Sequence, residues 1–284
     1  MTQAPRKPFD DEIDVYGLTH PGKLRPTNED HFLLAAIHKR IRVLSTSLAL
    51  EAVTAREDRL AFVAMVADGV GGLESGEEAS ATALESVLRY LSESTDCYYR
   101  AEAGTDEFER ELVAAAMRAH QAVKDKAAAS GGGQMATTLT IYMGVWPTYY
   151  LVQVGDSRYY MYRDGQLTQV SRDQTVAQDL VDRGVLTPEA AQKTKLAHVL
   201  SSAIGGDEAS PVVTRLQSVW GIAHLICSDG LTKHVSDARI AEVLGSMTSA
   251  KQAAEQLLQD ALDGGGSDNI TIIVGRTAAK PGRG

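Results

Sequence analysis

Residues 60–72, LAFVAMVADGVGG, run from an apolar, β-rich octet straight into a carboxylate and a cluster of glycines. An apolar octet with β-branched and aromatic members reads as a buried strand, with Asp68 at its end and Gly69 behind it. Working outward, further β-rich runs occupy 31–37, 138–145, 149–154, 157–163, 222–227 and 270–274. Many follow one another closely enough to be antiparallel. Trp146-Pro147 separates one pair, and Asp164-Gly165, between YYMYR and QLTQV, is a two-residue hairpin signal. Helical periodicity lies between the strands. Leu84, Val87, Leu88 and Leu91 recur at i, i+3, i+4 and i+7 behind a Ser75-x-x-Glu78 capping box. A second helix is expected over 106–129, on Phe108, Leu112, Val113, Ala116 and Met117. A third is expected over 250–262, on Ala254, Leu257, Leu258, Ala261 and Leu262, and Thr187-Pro188 has the chemistry of another helix start. One-sided helices and paired strands predict an α+β fold of paired sheets with helices on their outer faces.

The 284 residues carry 28 Lys and Arg against 37 Asp and Glu, a formal net charge of −9. No basic block interrupts that excess, which argues against a nucleic-acid partner. Cys97 and Cys227 are far apart and in no C-x-x-C pattern, so neither a disulfide framework nor a zinc site is indicated. Cys227 reads as a core residue. The N-terminal MTQAPRKPFDDEID lacks the apolar centre of a signal peptide, and no run approaches the roughly 18 apolar residues of a membrane span. A cytoplasmic protein without membrane attachment is expected. Residues 1–12 and 277–284 read as flexible ends around a single domain, 13–276, and residues 40–58 as a plain loop variation or a lengthened hairpin within it.

The aspartates carry the functional signal. Asp68 and Asp229 each end an apolar strand and each precede a glycine. A carboxylate there projects from a rigid sheet and the glycine admits close approach, which suits a hard cation such as Mg²⁺ or Mn²⁺. Taken alone, an Asp-Gly pair is an ordinary turn; two of them behind apolar strands are harder to read that way. Asp268-Asn269 lies between the glycines 264–266 and strand 270–274, entering a strand where the other two leave one. Asp156 sits at the junction of two Tyr- and Val-rich strands, where a plain hairpin is the simpler reading. Glu29 and Asp30 precede strand 31–37, and Arg25 offers a planar fork for phosphate oxygens or for a surface ion pair.

In chain order, RPTNED (25–30), ADGVGG (67–72), MATTLT (135–140), VGDSR (154–158), SDGL (228–231) and SDNIT (267–271) resemble the successive motifs of the metal-dependent, or type 2C, protein phosphatase family. The resemblance spans about residues 14–275. It implies a four-layer α-β-β-α sandwich of two antiparallel sheets flanked by helices. It also implies hydrolysis of phosphoserine and phosphothreonine in proteins, opposing bacterial serine/threonine kinases, with two Mn²⁺ or Mg²⁺ ions; a monomer is expected separately. On this likeness Asp68 would bridge the ions, Asp229 and Asp268 would hold the first, and Glu29 and the Gly69 carbonyl would serve the second. Asp156, with Asp229, would hold a third. Arg25 would clamp the substrate phosphate, and Asp30 and Asn269 would support the ligands from behind.

The sequence departs from eukaryotic relatives at Val70, where they carry a histidine proposed as general acid. The proton for the leaving group then falls to a metal-bound water or to a histidine such as His198 or His31. Residues 171–210 resemble the flap of bacterial members, a polar and capped stretch suited to a mobile element. Gln174-Thr175 stands where the family more often shows His-Ser.

Overall fold

The computed structural model describes residues 6–40, 57–70, 74–93 and 106–279. In it the octet 60–67 forms most of β3 (Glu57–Ala67), and its side chains alternate between two cores. Ala61, Val63, Met65 and Ala67 join the core under the helices, whereas Ala64 and Val66 join the core between the sheets. With both faces buried, the strand needs no polar alternation, which is why the run is apolar throughout.

β3 pairs with β2 (His31–Arg40) and β6 (Leu139–Val145), and β6 leads through β7 (Thr148–Val154) to β10 (Val212–Gln217), giving a five-stranded sheet ordered β10-β7-β6-β3-β2. The second sheet is also five-stranded: β1 (Ile13–His20), β12 (Ile270–Thr277), β11 (Ala223–Cys227), β8 (Arg158–Arg163) and β9 (Gln166–Gln169), in that order. A two-stranded piece joins β4 (Gly69–Val70) to β5 (Ala136–Thr137). Pairing between neighbouring strands is antiparallel throughout. Asp164 (φ 50°) and Gly165 (φ 84°) both lie at positive φ, the type I′ geometry that their sequence predicts for the β8–β9 turn.

Helices α1 (Glu74–Glu93) and α2 (Asp106–Ala129) cover the first sheet, and α6 (Asp237–Ser246) and α7 (Ala250–Asp263) cover the second. Shorter helices α3 (Val176–Asp182), α4 (Pro188–Ala191) and α5 (Asp229–Thr232) lie in the connections. The result is the expected four-layer sandwich. Thr187 caps α4 as anticipated, accepting from the Ala190 N–H.

Several expectations need correction. Ser75 lies inside α1, which already begins at Glu74, so Ser75-x-x-Glu78 is not its capping box. Leu88 and Met117 point outward (41% and 39% exposed), because the buried stripe of α1 runs instead through Ala79, Ala83, Leu84, Val87 and Leu91, and that of α2 through Phe108, Leu112, Ala115, Ala116, Ala119 and Val123. β1 carries a weak strand signal because Gly17 interrupts it. A Cβ on Gly17 would come within 2.8 Å of Phe32 Cδ2, so close sheet packing requires the glycine. β10 is an edge strand with Val212 51% exposed, which blurs its alternation. Within the segment expected to be flexible, the Arg6 fork donates to Glu12 (2.7 Å to each oxygen), Trp220 Nε1 donates to the Arg6 carbonyl (3.1 Å), and Arg59 donates to the Pro8 carbonyl (2.7 Å). Most of the proposed 40–58 loop falls outside the described residues. No helix among them is long and apolar enough to cross a membrane.

Candidate active site

The strand ends converge at one edge of the sandwich. Arg25, Glu29, Asp68, Gly69, Asp156, Asp229, Asp268 and Asn269 all line a cavity of about 200 Å³, so every predicted site residue except Asp30 faces it directly. Asp68 comes from the end of β3, Asp156 from the β7–β8 turn, Asp229 from the start of α5 after β11, and Asp268 from the entry to β12. Both sheets must therefore be assembled before the cavity exists.

Small hydroxyl groups fix the backbone around these carboxylates. The Asp68 N–H donates to Thr138 Oγ1 (3.0 Å), and the Asp68 carbonyl accepts from Thr137 Oγ1 (2.8 Å) and the Thr138 N–H (2.9 Å). Gly69 has no room for a side chain, since a Cβ would lie 2.8 Å from the Glu29 carbonyl oxygen. Asn269 ties the 21–30 loop to β12: its Oδ1 accepts from the Glu29 N–H (2.9 Å) and its Nδ2 donates to the carbonyls of Pro21 (3.0 Å) and Thr27 (2.8 Å). Asp30 lies behind the cavity, 2% exposed, and its Oδ2 accepts from Ser228 Oγ (2.8 Å) and Thr271 Oγ1 (2.7 Å). Its Oδ1 is buried and has no hydrogen-bond partner among the described residues.

The electrostatics are those of like charges crowded together. Burial, and then the charges of Asp30, Asp229, Asp156 and Asp268, push the Asp68 carboxyl well above the ordinary carboxylate range. Burial followed by Asp229 raises Asp156 to about 7, and burial raises Asp30 to about 6 against the bonds from Thr271 and Ser228. Asp268 goes the other way. Burial would raise it, but the Lys233 ammonium and then the Arg25 guanidinium outweigh burial and hold it below the usual range. Arg25 grips Asp268 with Nε (2.8 Å) and Nη2 (3.1 Å), while Lys233 Nζ lies 2.6 Å from Asp229 and 2.7 Å from Asp268.

As the side chains stand, no group of three among the described residues closes into a preformed metal cage. The donor set nevertheless fits divalent cations: it is all oxygen, it concentrates uncompensated negative charge, and it leaves the Asp30 acceptor orphaned behind it. Two cationic side chains already sit among these carboxylates.

A family model described as protein phosphatase 2C matches residues 49–264. The chain belongs to the protein phosphatase 2C family. It is 36% identical over 210 residues to the serine/threonine protein phosphatase PstP of Mycobacterium tuberculosis, a match covering 74% of this chain but only 39% of PstP. The aligned region is thus about two-fifths of that relative. The serine/threonine phosphatase stp of Listeria welshimeri is 28% identical over 228 residues, covering 78% of this chain and 87% of stp. A crystal structure of the PstP catalytic domain in complex with two manganese ions superposes with a TM-score of 0.72 at 31% identity, covering 94% of this chain and 99% of that one.

Within this 2C-family chain, sequence reasoning passed over several residues that the structure brings to the site. Lys233 was visible in principle, because i and i+4 on one helical turn place it beside Asp229. Gly76 was not. A Cβ there would lie 2.8 Å from Glu29 Cδ, a contact that only the fold reveals. Ser228 and Thr271 became meaningful only once Asp30 was seen between them. Gln174 is 6% exposed; its Oε1 accepts from the Gly155 N–H (2.8 Å), which ties the 171–210 segment to the Asp156 turn, and its Nε2 donates to the Ser210 carbonyl (3.0 Å), which joins the two ends of that segment. Of the two histidines considered as proton donors, His198 lines the cavity, whereas His31 contacts Ser80 (2.9 Å), whose hydroxyl donates to the Glu29 carbonyl (2.6 Å).

Proposed function

We propose that this chain is a serine/threonine phosphoprotein phosphatase that works with two Mn²⁺ or Mg²⁺ ions and a third, weaker one. The observation that carries this reading is the single cavity that collects Glu29, Asp68, Asp156, Asp229 and Asp268 beside Arg25. Asp68 would bridge the two ions, Asp229 and Asp268 would hold one, Glu29 and the Gly69 carbonyl would serve the other, and Asp156 with Asp229 would take the third. Bound there, the ions would supply Lewis-acid polarisation of the phosphoryl group and greater acidity in the attacking water.

The chain's own residues do the rest. Arg25, with its side chain 49% exposed, already presents Nε and Nη2 as a fork to Asp268 and can offer the same fork to two phosphate oxygens. Asp30 and Asn269 keep the ligand-bearing loops in place through the bonds described above. Val70, 40% exposed, puts an apolar side chain where a proton donor would otherwise stand. Water is the proposed source of the proton for the departing serine or threonine oxygen, and His198, which lines the cavity, is the alternative. The substrates would be cytoplasmic proteins phosphorylated by serine/threonine kinases, met by a single copy of the chain.

The test is hydrolysis of a phosphothreonine peptide by purified protein with Mn²⁺, with chelator, and with Asp68→Asn and Asp229→Asn. Turnover that needs Mn²⁺ and is largely abolished by both changes is expected. Equal turnover in chelator would remove the metal-dependent reading. Wild-type protein that binds the phosphopeptide without hydrolysing it would make the chain a binding module.

A further inference from the structure

Lys233 is a charged residue of the cavity wall with no part in the proposed metal and phosphate binding. It follows α5 directly, one helical turn after Asp229, and its ammonium lies 2.6 Å from Asp229 Oδ2 and 2.7 Å from Asp268 Oδ2. Those two carboxylates stand at the start of α5, after β11, and at the entry to β12, and each is a candidate ligand of the same ion. The Lys233 side chain is 26% exposed and the two aspartates 22% and 20%, so the pairs are less screened than fully exposed ones. A divalent ion that takes the same oxygens must displace the ammonium, because two cations cannot share one pair of carboxylate oxygens at contact distance without strong repulsion. Arg25 also holds Asp268, but it comes from the 21–30 loop and has a second destination in the substrate phosphate; Lys233 pairs with both aspartates at once.

We propose that Lys233 is a built-in counter-cation that competes with the metal ions for Asp229 and Asp268, and so sets the divalent-ion concentration at which the site fills. The inference rests on the metal-dependent reading and goes one step past it. Without ions, the ammonium keeps two repelling carboxylates together and preserves the site; with ions, it must swing aside, and its departure weakens apparent affinity. Coupling of this kind is reciprocal, so the same side chain that stabilises the ion-free protein must weaken ion binding.

The experiment measures Mn²⁺ binding to the purified full chain by titration calorimetry and by the electron paramagnetic resonance signal of free Mn²⁺, together with thermal melts at zero and saturating Mn²⁺. Lys233→Met is expected to bind Mn²⁺ about tenfold more tightly, near the low end of typical coupling between sites. It is also expected to melt lower than wild type without Mn²⁺ and to gain more on adding it. Lys233→Arg, which keeps the charge, is expected to stay near wild type. Should Lys233→Met fail to fold, Lys233→Gln takes its place. Wild-type protein that binds Mn²⁺ no more weakly than the neutral variant would overturn the competition and leave the metal-dependent reading standing. Absence of Mn²⁺ binding by every variant and by wild type would overturn both.

Discussion

Gly230→Ala is the substitution on which local and tertiary physics disagree most sharply. Gly230 is the second residue of α5, where alanine has the higher helix propensity by about 1 kcal/mol, so a purely local account predicts stabilisation. The structure predicts the reverse. A Cβ at Gly230 would lie 2.8 Å from the carbonyl carbon of Asn269, and closer still to its oxygen. Both obstacles are backbone, in the segment that carries Asp268 into β12, and cannot rotate away. Overpacking of a core costs about 1–3 kcal/mol, and more where backbone must move. Set against the propensity gain, a net loss of about 2 kcal/mol follows, or roughly 4–8 °C in melting temperature by the scaling for domains of 150–250 residues. Function should suffer more than stability, because relieving the contact parts Asp229 from Asp268, and a misplacement of about 1 Å can cost about 100-fold in rate. The assay is a thermal melt beside kcat/KM on a phosphothreonine peptide across a Mn²⁺ titration. A variant that melts at or above wild type with unchanged kcat/KM would refute the contact argument.

Two further outcomes follow from other parts of the molecule. His224 lies in the inter-sheet aromatic cluster with Tyr142, Tyr149 and Tyr159, and burial lowers its pKa to about 4; with an unfolded value of about 6.5, its contribution is complete above that pH and is lost as pH falls toward 4, up to about 3 kcal/mol, less to the extent that water reaches the ring. Urea midpoints from pH 7.5 to 4.5 should therefore fall less steeply in His224→Phe than in wild type, and equal slopes would contradict this. Gln174→Ala strips the partner from the buried Gly155 N–H, at about 1–3 kcal/mol, and from the carbonyl of the exposed Ser210, which can turn to water; amide exchange across residues 171–210 should accelerate, and unchanged exchange would show that the segment is held elsewhere.

What could be read from the sequence, and what could not, divides along a physical line. Strands buried on both faces, such as β3, announce themselves by composition, and so do turns that need two residues at positive φ, such as Asp164-Gly165. β1 and β10 were quieter because one is broken by a glycine that serves a contact with Phe32 and the other is a half-exposed edge. At the site, Asp68, Asp229 and Asp268 were legible because each stands at a strand boundary beside glycine or asparagine. Lys233, Gly76 and Gln174 were not, because what matters about them is a neighbour brought by folding. An exposed Lys-Asp pair at i and i+4 is ordinary; the second aspartate, 35 residues on, makes this one unusual.

Asp30 shows how closely stability and function are joined here. It immediately precedes β2 in the first sheet, yet its Oδ2 accepts from Ser228 at the end of β11 and Thr271 in β12, both in the second. The carboxylate therefore stitches the two sheets at the edge where the cavity opens. That stitch uses one oxygen. Its other oxygen remains an unpaired buried acceptor, and such a group typically costs about 1–3 kcal/mol. The bonded oxygen thus holds together the two sheets whose strand ends bring the other carboxylates to one cavity.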